Sequence, residues 1–232
     1  MKIVFSDIDH TLMYELTVAD ETIRLIEEIR AKAPFVLITA RSLASVHQHV
    51  PEIPHDSLIV ENGCVVYEGN EIDQAWDARI KPFLAVVEGY KEDLGLIIRP
   101  KTRMLSISMA QNNLTWNDAD AIKDALPEEL VMRTSSNETG DFLEMYPAVA
   151  GKAAAISYVS EKLGIAIEDT CALGDDLVDI EMLEACGYPL THAEAREPVR
   201  DLVAKRGGYV APAGSHAGTA AMLEETLRWL KA

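Results

Sequence analysis

Three short apolar stretches, each running into polar or acidic side chains, restrict this chain more than any other feature. Ile3-Val4-Phe5-Ser6 leads into Asp7-Ile8-Asp9, Phe35-Val36-Leu37-Ile38 into Thr39-Ala40-Arg41, and Thr170-Cys171-Ala172-Leu173 into Gly174-Asp175-Asp176. Apolar runs of this length read as strands buried on both faces. Helical spacing follows the first of them: Ile23, Ile26 and Ile29 fall within residues 17–32, and Pro34 ends the stretch. Buried strands alternating with amphipathic helices at both ends of the chain imply an α/β fold, a parallel sheet with helices on both faces. Ligands bind such a sheet beyond the carboxyl ends of its strands, so the three polar endings are expected to converge.

The texture changes in the middle of the chain. A helix is expected at 43–50 and a strand at 57–60, followed by Glu61-Asn62-Gly63. Residues 64–75 read as a hairpin with a Gly-Asn turn. Then come a helix (80–94), two strands (96–99 and 103–110), a helix (116–126) and two more strands (130–134 and 142–146). A doubled helix-strand-strand unit fits a smaller inserted α+β domain. Its junctions fall beside Pro82 and Pro147, so the expected division is a core of 1–80 and 148–232 with an insert of 81–147. Beyond it, helices are expected at 151–163, 180–186 and 218–230.

Charge narrows the function. The chain carries 38 acidic against 21 basic side chains, a net charge of -17. Affinity for nucleic acid or an anionic membrane comes from clustered Lys and Arg, so neither is an expected partner. An anionic substrate would need local compensation, which a bound divalent cation supplies. Cys64, Cys171 and Cys186 lie far apart without a Cys-x-x-Cys pair, so three buried thiols are expected rather than a zinc site or disulfide framework. No apolar run reaches membrane-spanning length and no signal-peptide pattern opens the chain, which makes a cytoplasmic location the expectation.

The chemistry-bearing residues gather at the strand ends. Asp7 and Asp9 are two apart and in extended backbone point the same way. Adjacent carboxylates repel, a conflict that a dication or a shared proton relieves. Alone, Asp-x-Asp after a strand reads equally well as a solvated turn. Asp175 and Asp179 at another strand end shift the reading toward a cation site. With no His or Cys in the set, its oxygen donors suit Mg²⁺.

In order along the chain, these residues resemble the haloacid dehalogenase superfamily of aspartate-nucleophile phosphatases. The pattern D-x-D-x-T matches Asp7, Asp9 and Thr11. A Thr ending the next strand matches Thr39, a Lys opening a later helix matches Lys152, and G-D-x-x-x-D matches Gly174, Asp175 and Asp179. The resemblance implies a Rossmann-like core with an inserted cap, and Mg²⁺-dependent hydrolysis of phosphomonoesters through an aspartyl phosphate. It casts Asp7 as nucleophile, and Asp9 as the acid that protonates the leaving alcohol and later activates water. It places Thr39 and Lys152 on the phosphoryl oxygens, and Asp7, Asp9, Asp175 and Asp179 around the metal, with Asp176 as the alternative to Asp179. Thr11, Arg41, Asn62, Arg103 and Arg133 are expected on the substrate, although Arg41 reads equally as half of a salt bridge.

The insert resembles the larger cap of one branch, which includes sucrose-phosphate, mannosyl-3-phosphoglycerate, archaeal-type phosphoglycolate and Cof-like sugar phosphatases. Glu61-Asn62-Gly63 also looks like that branch. Arg99, Lys101, Arg103 and Arg133 put positive charge on cap strands, either to grip a second anionic group or as solvated strand positions. Ser135, Ser136, Asn137 and Glu138 read as a polar turn. Three positions depart from the pattern: His10 stands where Gly is usual, Val178 where Asn is common, and Ala153, after Lys152, where Gly is common. The expected function is hydrolysis of a small phosphorylated metabolite, a sugar phosphate or related polyol or hydroxy-acid phosphate, by a monomer or homodimer. A phosphomutase of the same architecture and a non-catalytic ligand-binding homologue are the alternatives.

Overall fold

The computed structural model describes residues 1–99, 101–137 and 140–232, with Asn137 described in its backbone alone. The first half of the chain gives β1 (Ile3–Ser6), α1 (Asp20–Arg30), β2 (Phe35–Ile38), α2 (Leu43–His49) and β3 (Ser57–Val60). A hairpin of β4 (Val65–Glu68) and β5 (Glu71–Ile72) follows, then α3 (Gln74–Ile80) and α4 (Leu84–Leu94). The middle elements are β6 (Leu105–Ser108), α5 (Trp116–Asp124), β7 (Leu130–Asn137) and β8 (Gly140–Pro147). Alternation then resumes with α6 (Lys152–Lys162), β9 (Thr170–Leu173), α7 (Ile180–Ala185) and β10 (Tyr188–His192). The chain closes with α8 (Glu197–Lys205), β11 (Tyr209–Ala211) and α9 (Ser215–Lys231).

Among the described residues the strands form an eight-stranded sheet, β11-β10-β9-β1-β2-β3-β4-β5, and a three-stranded one, β6-β8-β7. The large sheet is parallel from β11 to β3, and β4 runs antiparallel to both β3 and β5. The architecture is therefore the expected α/β sheet, with helices on both faces. β1 lies between β2 and β9, and Ile3, Val4 and Phe5 are wholly buried. That double-sided burial is what their unbroken apolar run anticipates. Ser6 is paired with Leu37 on one side and Leu173 on the other, so Asp7, Thr39 and Gly174 leave the sheet at the same edge.

Two apolar cores accompany the two sheets. The larger surrounds the eight-stranded sheet and takes in Leu25, Ile26 and Ile29 of α1, Ile156 of α6 and Leu223 of α9. The smaller joins Val87 of α4 and Ala119 of α5 to Leu105, Ile107, Leu143 and Met145 of the small sheet. Cys64, Cys171 and Cys186 are buried and unbridged. No helix among the described residues is long and apolar enough to cross a membrane.

Several boundaries differ from the sequence reading, each for a local reason. The helix expected at 80–94 forms as α4 from Leu84, and a separate helix, α3, precedes it, because the Asp73 carboxylate accepts from the N–H groups of Ala75 and Trp76 and caps it there. The strand expected at 96–99 is reduced to a single bridge between Arg99 and Ser106. The Asn112 side chain takes both the N–H and the carbonyl of Ile97, which removes those groups from sheet pairing. β7 extends through Ser135 and Ser136, which pair with Phe142 and Asp141 of β8 instead of forming a turn. Glu138 and the Asn137 side chain, assigned to that turn, lie outside the described residues.

Candidate active site

Asp7 sits one residue past β1, with its N–H donating to the Leu173 carbonyl of β9. Its carboxylate Oδ1 accepts from Lys152 Nζ at 2.6 Å, and the same Nζ donates to Asp179 Oδ1 at 2.6 Å. Lys152 is 0% exposed although it opens α6. A cation there meets the unfavourable end of the helix dipole, and a buried ammonium without partners is costly. The two carboxylates offset both penalties. Burial opposes the charge on Lys152, yet Asp179 and Asp7 outweigh it and hold its pKa above the ordinary lysine value.

Asp179 is anchored from every side. Its Oδ2 accepts from the N–H groups of Asp175 and Asp176, at 3.0 and 3.1 Å. The loop can close this tightly because residue 174 is glycine: a Cβ there would stand 2.6 Å from Asp179 Cβ. Asp175 is held by Thr11, whose hydroxyl donates to Asp175 Oδ1 at 2.7 Å. Asp176 faces another way. Its Oδ1 accepts from Leu177 N–H and its Oδ2 from the N–H of Ser136 in β7.

Asp7, Asp175 and Asp179 each bring a carboxylate oxygen within 4.8 Å of the other two. The hydrogen bonds to Asp7 and Asp175 engage Oδ1 of each, so Oδ2 of each is the oxygen open to a cation. Both oxygens of Asp179 already serve protein donors, which makes it an organiser of Lys152 and the loop. Burial raises the Asp7 carboxyl well above the usual range; Lys152 opposes this, while Asp179 and Asp9 add to it. Burial likewise raises Asp175, reinforced by the charges of Asp179 and Asp7. A compact, mutually repelling set of oxygens with two free atoms fits a hard dication such as Mg²⁺.

Asp9 is turned toward Arg41. The guanidinium grips both its oxygens, Nε to Oδ2 at 2.7 Å and Nη2 to Oδ1 at 2.6 Å, which resolves Arg41 as a salt-bridge partner. Thr39 is buried at the end of β2, its hydroxyl accepting from Arg41 N–H and its carbonyl from Asn62 N–H.

These groups open onto a cavity of about 460 Å³. Asp7, Asp9, Thr39, Arg41, Asp175 and Asp179 line one side, and Arg99, Lys101, Ser135, Phe142 and Glu144 the other. Four residues expected on the substrate do not line it. Thr11 is fully buried with its hydroxyl spent on Asp175. Asn62, also buried and in left-handed backbone, supports Thr39 from behind. Arg103 donates to the buried Asp77, and Arg133 faces Glu181 at 3.6 Å. Of the four cations noted along residues 99–133, the cavity receives Arg99 and Lys101. Glu144 had no expectation attached, since a single Glu within a strand carries no motif; only the pairing of β8 beside β6 and β7 brings it to the cavity wall.

The sequence matches the family model of haloacid dehalogenase-like hydrolases over residues 4–92 and 97–205. It is 25% identical over 221 residues, 87% of either chain, to the 5-amino-6-(5-phospho-D-ribitylamino)uracil phosphatase YcsE of Bacillus subtilis. It is 24% identical over 174 residues, 74% of this chain and 73% of the relative, to the phosphoglycolate phosphatase of Methanothermobacter thermautotrophicus. Its fold is similar to that of the sucrose-phosphatase of Synechocystis sp. PCC6803, with a TM-score of 0.78 and 16% identity over 99% of this chain and 98% of that one. The family match takes in every strand end that carries the carboxylates, and the chain therefore belongs to the haloacid dehalogenase-like hydrolases.

Proposed function

We propose that this protein hydrolyses a small phosphorylated metabolite, a sugar phosphate or related polyol or hydroxy-acid phosphate, with Mg²⁺, through an aspartyl phosphate on Asp7. The observation that carries this reading is the Asp7 carboxylate at the end of β1. It is fixed by a buried lysine, flanked by Asp175, and faces a cavity of metabolite size.

Asp7 attacks phosphorus while the ester P–O bond breaks, and the departing alkoxide takes a proton from Asp9. Water then attacks the same phosphorus as Asp9 takes up its proton, which releases phosphate and restores Asp7. Asp7 and Asp175, with the Asp9 carbonyl, are the groups that would hold Mg²⁺, whose charge offsets that on the phosphoryl oxygens. Lys152 supplies fixed positive charge beside Asp7, and the Thr39 hydroxyl donates to a phosphoryl oxygen. Arg41 exchanges one Asp9 oxygen for the incoming phosphate, a bidentate partner of equal geometry, and so frees Asp9 for proton transfer. Division of labour follows the two sheets: residues 1–80 and 148–232 carry the chemistry, and 81–147 act as a cap that reads the leaving group.

The named relatives support a small phosphorylated substrate, since they are phosphatases of 5-amino-6-(5-phospho-D-ribitylamino)uracil and of phosphoglycolate. The test is phosphate release from a panel of sugar, polyol and hydroxy-acid phosphates, with Mg²⁺ and with EDTA. Release that requires Mg²⁺ is expected. No release from any ester, or release indifferent to EDTA, contradicts the reading.

A further inference from the structure

Glu144 lies in the middle of β8, the central strand of the small sheet, opposite Ser106 of β6 and Arg133 of β7. Strand periodicity sends its neighbours Leu143 and Met145 into the small apolar core, while Phe142 and Glu144 line the cavity. Glu144 is 3% exposed. Its Oε1 accepts from the hydroxyls of Ser106 and Ser135, at 3.1 and 3.2 Å, and its Oε2 is buried with no hydrogen-bond partner among the described residues.

That unpartnered oxygen is unusual, because native proteins satisfy nearly all buried polar atoms. The cation best placed to satisfy it is engaged elsewhere: Lys101 Nζ donates to the Ala40 carbonyl at 2.5 Å, across the cavity mouth. Arg99 is spread over the Phe142 ring, 4.6 Å from its centroid. Opposite the phosphoryl-transfer groups, the wall thus carries a buried acceptor beside two cations and two serine hydroxyls. A leaving group rich in hydroxyls, each both donor and acceptor, complements such a wall. A second carboxylate, placed against Glu144, does not.

We propose that Glu144 is a specificity-determining residue that accepts a hydrogen bond from a hydroxyl of the leaving group, so that the enzyme selects neutral polyol or sugar phosphates over short anionic hydroxy-acid phosphates. This rests on the phosphatase reading of the cavity and narrows it. A site built to hydrogen-bond a substrate hydroxyl discriminates strongly, because the wrong substrate leaves its buried group unpaired.

The experiment measures kcat/KM of wild type and Glu144→Gln, with Mg²⁺, on ribitol 5-phosphate and sorbitol 6-phosphate against phosphoglycolate and 3-phosphoglycerate. p-Nitrophenyl phosphate reports wild-type phosphatase activity separately, and circular dichroism reports folding of the variant. Wild type is expected to favour a polyol phosphate, and Glu144→Gln to shift the polyol-to-acid ratio by about tenfold or more toward the acids, mainly by raising KM for the polyol. A purely structural role would lower both classes together and leave the ratio in place, which overturns the proposal. A wild type that acts on p-nitrophenyl phosphate but prefers the acids, or ignores the polyols, overturns it too, with the phosphatase reading intact. A wild type inert toward every ester removes both. Glu144→Ala, which removes the acceptor outright, must shift the ratio in the same direction as Glu144→Gln; a shift the other way counts against the assignment.

Discussion

Asp7 is buried beside a lysine that two carboxylates share, so its replacement separates chemistry from charge balance. Asp7→Asn keeps the shape and an acceptor for Lys152 but removes the nucleophile, and kcat for phosphate release should fall by about 10³-fold or more. Activity within tenfold of wild type would place the nucleophile elsewhere. The raised pKa values of Asp7 and Asp175 carry a second expectation. A carboxyl raised in the folded state favours folding below its unfolded pKa of about 4, and loses that contribution as pH rises through the folded value. Metal-free protein therefore pays for ionising this cluster toward neutral pH, where Mg²⁺ relieves the repulsion. The Mg²⁺-induced rise in Tm should be larger at about pH 7.5 than at about pH 5, read by thermal melting, and an equal rise at both would contradict it. At this scale the sequence exposed the residues that short motifs mark: Asp7, Lys152, Asp175 and Asp179 lie together in the structure. It did not expose Glu144, whose environment depends on strands 38 residues and 9 residues away in sequence. It also put Thr11, Arg103 and Arg133 on the substrate, because residue type alone does not reveal that a hydroxyl or guanidinium already has an internal partner.

Loops between elements fix the site as firmly as the strands do. Gly174 ends β9 and lets Asp179 fold back onto the N–H groups of Asp175 and Asp176. Gly174→Ala would force a Cβ against Asp179 and should cost about 1–3 kcal/mol of stability in urea unfolding, together with a loss of activity. Unchanged stability would mean the loop has room that the geometry denies. A second junction joins the sheets. The buried Glu61 carboxylate accepts from Thr102 N–H and hydroxyl and from Arg103 N–H. Glu61→Ala leaves those donors unpaired and should cost about 2 kcal/mol or more, measured the same way. Apolar strands and their polar ends were legible because burial on both faces writes an uninterrupted pattern. The strand expected at 96–99 was not formed because a side chain remote in sequence, Asn112, claims the Ile97 backbone. Helix α3 forms at Gln74, where a hairpin strand was expected to run to residue 75, because the Asp73 cap starts it there.

The whole molecule sets a cavity between two sheets with separate cores. The large sheet supplies Asp7, Lys152 and the other acidic residues; the middle of the chain supplies a wall of Arg99, Lys101, Ser135, Phe142 and Glu144. Bridges across the cavity, Lys101 to the Ala40 carbonyl and Ser136 N–H to Asp176, hold the walls together. An acidic chain of net charge -17 gathers its compensation locally, in Lys152, Arg41, Arg99 and Lys101 around the site. All of this depends on one claim, that the phosphoryl group passes through Asp7. The most direct measurement uses Asp9→Asn, which slows water attack, during turnover of p-nitrophenyl phosphate, a leaving group that needs no proton donor. Acid quenching, borohydride reduction of the acyl phosphate and peptide mass spectrometry should find homoserine in place of the aspartate at position 7. Phosphate on any other residue, or continued turnover with position 7 unmodified, would contradict the account.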